Sequence, residues 1–154
     1  MKPSFDLIAE AEGWPAEHDL VPLCTVAIQA VSQELSLENE SRFCLLFTDN
    51  SVMRELNQRF RDRPTPTNVL SFPAQIDDDG YLGDIALGQE TVFREAQEKS
   101  IPVAHHIAHL VVHGFLHLQG YDHQTEAEAE QMEAIERKAL LRMDIADPYQ
   151  GDPQ

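Results

Sequence analysis

The sequence predicts a single α+β domain, and three observations predict it. Its 154 residues suit one domain with one hydrophobic core. Four short apolar segments of strand length lie before Glu90, with two helix-like runs between them. From Glu90 onward, three helix-length amphipathic segments follow one another, and no repeat or second domain is visible. The domain is therefore expected to span residues 1–154, with a tail from 144 that frays.

Phe5, Leu7 and Ile8 begin the first short strand. Pro22, at an early helical position, opens an amphipathic run with Val26, Ala30, Val31 and Leu35 at helical spacing. Residues 42–47 read as a buried strand. Asp49 or Asn50 can cap the next helix, which carries Val52, Met53, Leu56 and Phe60 on one face. Residues 64–67, Pro-Thr-Pro-Thr, form a turn, because each proline biases its predecessor out of the helical region. A strand over 68–72 is halted by Pro73. An acidic turn over 77–80 then leads into a strand over 82–87, and these two strands should pair antiparallel around a long loop. Helices follow over 90–99, 103–118 and 126–141. The polar end from Asp144, with two prolines, is expected to fray.

Composition narrows the function classes. Hydrophobic residues make up 42% and charged residues 25%, an ordinary globular balance rather than a disordered one. Asp6 interrupts any signal-like apolar stretch, and runs such as 43–47 are far too short to cross a bilayer, so a cytoplasmic location is expected. Cys24 and Cys44 lack CxxC spacing and lie in apolar segments, which reads as small core residues rather than a disulfide. A net charge of −16 argues against a generic nucleic-acid binder. Yet Arg42, Arg54, Arg59, Arg61 and Arg63 fall in one stretch, leaving a locally basic strip open. The acidic clusters at 77–79 and 126–136 read as a solvated loop and a solvated helix face.

The chemistry sits in residues 113–123, His-Gly-Phe-Leu-His-Leu-Gln-Gly-Tyr-Asp-His. Residues four apart share a helix face, so His113 and His117 can bind one ion together. A third ligand must come from beyond the helix end. Gly120 can adopt the left-handed conformation that closes a helix, letting the chain double back and deliver His123. Three neutral imidazoles and an open position are the layout of a catalytic Zn²⁺ site, with room for a water whose pKa the metal lowers to about 7. His105 and His109 extend the i, i+4 series backward, but each such step advances roughly 40° around the helix, so the whole series cannot converge on one ion. His109 is expected to pack or hydrogen-bond beside the site, and His105 and His106 to lie near the surface. His18 carries no signal. The spacing also matches that of metzincin peptidases, whose first histidine is followed by a glutamate base. Here that position is Gly114, which counts against proteolysis.

Residues 113–123 resemble the signature of the YbeY family of bacterial rRNA-maturation endoribonucleases, and residues 66–73, Pro-Thr-Asn-Val-Leu-Ser-Phe-Pro, are similar to its second motif. Leu56-Asn57, Phe60-Arg61, Leu82-Gly83-Asp84-Ile85 and Asp147-Pro148-Tyr149 extend the likeness, which covers nearly the whole chain from about Arg42. The resemblance implies a compact α+β fold in which a mixed four-stranded sheet packs against helices, one of them presenting the histidines. It implies metal-dependent cleavage of single-stranded RNA, not DNA, in 16S rRNA 3′-end maturation and 70S ribosome quality control. Its implied partners are the small ribosomal subunit and an assembly GTPase, with no membrane. The family's zinc ligands carry over to His113, His117 and His123, and its functional arginine to Arg61. Asp62 departs from the pattern, since relatives often have glycine after that arginine.

A guanidinium suits a phosphodiester reaction, offering a fork of donors where the transition state gathers negative charge; the alternative for Arg61 is an exposed helix-end residue favouring the macrodipole. Thr67, Asn68 and Ser71 either offer contacts near the cleft or, for Thr67 and Asn68, only bond backbone in a turn. Asp84 and Asp122 either orient a ligand histidine or are solvated. Three functions remain open: a zinc-dependent endoribonuclease, a ribosome-assembly binding factor whose metal is structural, and another metal-dependent hydrolase.

Overall fold

The structure, a computed structural model, describes residues 3–62, 67–74 and 80–149. Its elements run β1 (Ser4–Ala9), α1 (Glu17–Leu35), β2 (Arg42–Thr48), α2 (Asn50–Arg61), β3 (Val69–Pro73), β4 (Tyr81–Gly88), α3 (Gln89–Lys99), α4 (Val103–Leu118) and α5 (Glu126–Leu141). The four strands form one mixed sheet in the order β1-β2-β4-β3. β1 pairs parallel with β2, and β2 with β4, while β3 runs antiparallel to β4 from Val69↔Leu87 to Pro73↔Gly83. The hairpin is as expected; the turns expected at 64–67 and 77–80 lie largely outside the described residues.

Alternation along the strands divides the sheet into two faces. Phe43, Leu45 and Phe47 of β2 and Ile85 and Leu87 of β4 join the main core, with Ile107, Val111 and Phe115 of α4. Leu70 and Ala86 point the other way, onto Met53 of α2. The histidine helix thus lies against one face and α2 against the other. α4 is buried along most of its length, between the sheet and α1, α3 and α5. That explains its long apolar runs.

Four expectations change. α1 begins at Glu17 rather than at Pro22, which sits inside it in the second turn. Its core face is Leu20, Cys24, Ala27, Ile28 and Val31, while Val26 is 46% exposed; apolar spacing alone did not separate these two stripes. Asp49, whose carboxylate accepts from the Val52 N–H, caps α2 as one of the two candidates, but Phe60 is exposed, its ring meeting the edge of the sheet at Phe72 of β3, 5.2 Å between centroids. Cys24 is buried and Cys44 only half-buried, since Cys44 points to the α2 side of the sheet; both are free thiols. Past α5, Ile145 is buried, and Arg137 of α5 holds the Asp147 carboxylate at 3.1 Å. Residues 150–154 lie outside the described part.

Candidate metal centre

α4 and the turn after it bring three imidazoles together. His113 and His117 lie one turn apart with their Nε2 atoms 3.2 Å from each other. The helix ends because Gly120, at φ +97°, reverses the chain, and the Gly120 and Tyr121 N–H groups close on the His117 and Leu116 carbonyls. Asp122 Oδ1 then accepts the His123 N–H at 2.7 Å, fixing the return. The His123 ring centroid lies 5.6 Å from that of His113 and 5.0 Å from that of His117. One nitrogen from each ring lies within 4.8 Å of the others.

This donor set fits a divalent transition-metal ion. Nitrogens bound tetrahedrally at about 2.0–2.1 Å sit roughly 3.4 Å apart, close to the His113–His117 separation. Nδ1 of His113 donates to Glu136 Oε2 at 2.8 Å and Nδ1 of His117 to the Tyr121 carbonyl at 3.0 Å. Those acceptors place the ring protons on Nδ1 and leave both Nε2 lone pairs facing the common point. Burial, with the neighbouring His113 and His123, holds the His117 pKa below the usual imidazole range, which favours the neutral ligand form.

His109 stands outside the trio. Its Nε2 donates to Glu136 Oε1 at 2.6 Å, so it hydrogen-bonds beside the site as expected. His106 contradicts its expected surface place: it is 1% exposed and its Nε2 meets Glu95 Oε1 at 2.8 Å, because α3 packs over that part of α4. His105 is half-buried.

Glu136 is the residue that the sequence reading missed. The acidic run places it on the solvated face of α5, yet it is fully buried. Burial alone would raise its pKa, but the hydrogen bonds from His109 and His113 pull it down to about 2. A signal existed: Glu136 lies at helical spacing with the buried Met132, Ala139 and Leu140, so it interrupts the apolar stripe.

Arg61 reaches the same cleft from the other face of the sheet. Its guanidinium donates to the Ser71 carbonyl at 2.8 Å. It lines a cleft of about 880 Å³ with Asn57, Asn68, Ser71 and the three histidines. Asp62 ends α2 at φ 56°, in the left-handed conformation; a short polar side chain tolerates it. Ser71 Oγ donates to the Gly114 carbonyl and Asn68 Nδ2 to Glu95, so both are engaged in holding the walls together. Asp84 is exposed on the α2 side of the sheet, where it accepts from the Tyr81 hydroxyl; it orients no ligand histidine. Asp122 acts on the His123 backbone rather than on a ring. Gly114 faces the sheet: a Cβ there would stand 2.8 Å from Ile85 Cγ2, leaving no room for a peptidase glutamate.

A family model described as Endoribonuclease YbeY matches residues 11–144. The chain is 49% identical over 151 residues to the Endoribonuclease YbeY of Chelativorans sp. (strain BNC1), spanning 95% of this chain and 93% of that one. It is 47% identical over 154 residues to the protein of that name from Methylocella silvestris, spanning 97% and 88%. The solution structure of TM1509 from Thermotoga maritima shares the fold, with a TM-score of 0.58 at 23% identity over 97% of this chain and 99% of that one. Among the described residues no helix is long and apolar enough to cross a membrane.

Proposed function

The chain belongs to the endoribonuclease YbeY family, and from that premise we propose a single-strand-specific endoribonuclease with one Zn²⁺ held by His113, His117 and His123. The observation that carries this reading is the convergence of three imidazoles, two with their tautomers fixed, beside an arginine in one open cleft. A divalent ion bound there supplies Lewis acidity to a phosphoryl oxygen and neutralises charge that develops on it. Arg61 binds the scissile phosphate: the Ser71 carbonyl holds one guanidinium nitrogen in place, and the remaining N–H donors take a phosphate oxygen. Glu136 orients His113 rather than serving as a base, because both its oxygens accept imidazole N–H groups. The substrate is 16S rRNA near its 3′ end, with a role in 70S ribosome quality control. The partners are the small ribosomal subunit and an assembly GTPase, in the cytoplasm.

Two other readings are weaker. A structural ion would normally have four protein ligands in a closed shell, whereas His123 is exposed and the cleft is open. A peptidase needs a base where Gly114 stands. The test is elemental analysis of purified protein with an RNA cleavage assay, with and without chelator. Stoichiometric Zn²⁺ and chelator-sensitive cleavage are expected. Cleavage that survives complete metal removal would overturn the proposal, and metal-free protein that still binds small subunits without cleaving would favour the assembly-factor reading.

A further inference from the structure

The segment after α5 turns back toward the histidines. Ile145 is buried against the core. Asp147 Oδ1 accepts the Tyr149 N–H at 2.8 Å, and Arg137 bonds the same carboxylate while its guanidinium lies 5.3 Å from the centre of the Tyr149 ring. These contacts aim the phenol inward. Its hydroxyl donates to Glu136 Oε1 at 2.5 Å and stands 3.4 Å from His109 Nε2. The Tyr149 ring meets His109 edge-on, with centroids 5.6 Å apart.

Among the described residues, Oε1 of Glu136 is therefore held by two donors, His109 and Tyr149, and Oε2 by one, His113. A buried carboxylate gripped at one oxygen cannot rotate, so its other oxygen stays aimed at the His113 ring. With fewer donors on Oε1, the carboxylate turns to share its charge between them, and His113 loses its fixed tautomer and direction. We propose that Tyr149 is a positioning residue, which acts through Glu136 to hold His113 in its metal-binding orientation and so ties metal affinity to docking of the C-terminal segment. This rests on the reading that His113, His117 and His123 bind Zn²⁺. It extends that reading to a residue 26 positions beyond the last ligand (149 − 123).

The test is Zn²⁺ affinity by competition with a chromophoric chelator, at a temperature where each protein is folded. Loss of an outer partner of a metal ligand typically costs about 10–100-fold in affinity. As Tyr149 acts at one further remove, Tyr149→Phe should lose about tenfold. In a Glu136→Gln background the same change should have less than a twofold effect, since the phenol then has no carboxylate to hold. A purely structural tyrosine would lower the melting temperature equally in both backgrounds and leave the affinity of the folded protein unchanged. Asp147→Ala, which frees the segment without touching Glu136, should weaken Zn²⁺ binding in the same direction. Equal affinity in wild type, Tyr149→Phe and Asp147→Ala would overturn the inference while leaving the metal site standing. Wild type that takes up no Zn²⁺ would overturn the metal reading itself, and this inference with it.

Discussion

Arg61 is anchored by one guanidinium nitrogen to the backbone carbonyl of Ser71, so its remaining donors are preset. Arg61→Ala should leave metal content and melting nearly unchanged while cleavage falls by roughly 10²-fold or more, the scale seen when one charge-stabilising donor is removed. Arg61→Lys should recover only part of the rate, because an ammonium cannot hold the carbonyl and a phosphate with one planar fork. Steady-state cleavage alongside metal analysis checks both; unchanged cleavage in Arg61→Ala would return the residue to a solvated helix end. Among the histidines, His113→Ala, His117→Ala or His123→Ala should each strip the ion, whereas His109→Ala should weaken it without abolishing it. Acid should act through Glu136 and His117. Glu136 has a folded pKa of about 2 against an ordinary 4.5, so its contribution is complete above pH 4.5 and is lost as the pH falls toward 2. Its size is on the order of 3 kcal/mol. The His117 pKa also lies below its ordinary 6.5, so the unfolded chain takes up that proton first and stability begins to decline below about pH 6.5. Melting curves of metal-free protein from pH 8 to 3 should show that decline, with the limb below pH 4.5 flattened in Glu136→Gln. The histidines were legible in the sequence because an i, i+4 pair and a helix-ending glycine define positions in space. Glu136 was not, because an acidic stretch reads as surface until one asks which of its members falls on the apolar stripe.

At the scale of elements, α4 carries two constraints on adjacent sides. Its histidine side must end where Gly120 reverses the chain, and its other side must lie close enough to β3 and β4 that Ser71 Oγ reaches the Gly114 carbonyl at 3.1 Å. The two glycines should therefore fail differently. A Cβ at Gly114 would press on Ile85 Cγ2 at 2.8 Å and Ser71 Oγ at 3.2 Å. Gly114→Ala should thus destabilise by roughly 1–3 kcal/mol through overpacking, with metal affinity following only as the fold is lost. A Cβ at Gly120 meets nothing within 4 Å, but φ is +97°. Gly120→Ala should thus strain the turn by about 1 kcal/mol or more, and Zn²⁺ affinity should fall more than the melting temperature because the strain displaces His123. Measuring both quantities on both variants separates the cases; equal loss of affinity and stability at Gly120 would mean that the turn does not deliver the ligand. Most elements were legible, since period-2 and period-3.6 patterns mark β2, β3, β4 and the last three helices. α1 was misread at its start because Pro22 is tolerated early inside a helix as well as at its first position. The contacts of Ile145 and Tyr149 were not legible, because contacts made after the chain turns back leave no local periodicity to read.

For the whole molecule, the difficulty is an acidic protein acting on a polyanion. The net charge is −16, and five glutamates lie along α5, of which only Glu136 is buried among the histidines. The compensating feature is local: α2 carries Arg54, Arg59 and Arg61 with Glu55 as its only acid, and its last turn opens onto the cleft. Arg59 faces Glu55 at 3.8 Å with both side chains about two-thirds exposed, a pairing too weak to keep the arginine from a phosphate. Arg63, the next basic residue along the chain, lies outside the described residues. With a net charge of −16 against this one strip, few phosphates can be neutralised at once. Each contacted phosphate on a single strand contributes about 0.7 to the fall of log affinity with log salt. Two or three contacts should then give a slope of roughly 1.5–2. Neutralising Arg59, Arg61 and Arg63 together should remove most of that slope. Neutralising Arg137, Lys138 and Arg142 should not, because Arg137 is engaged by Asp147 and Arg142 by Glu34, away from the cleft. Binding of metal-free protein to short single-stranded RNA across a salt series measures this without cleavage. A steep slope that survives loss of the Arg59–Arg63 strip would place the RNA surface elsewhere. No binding even at low salt would mean that α2 alone cannot overcome the molecule's charge, and that recognition requires the ribosome or a protein partner.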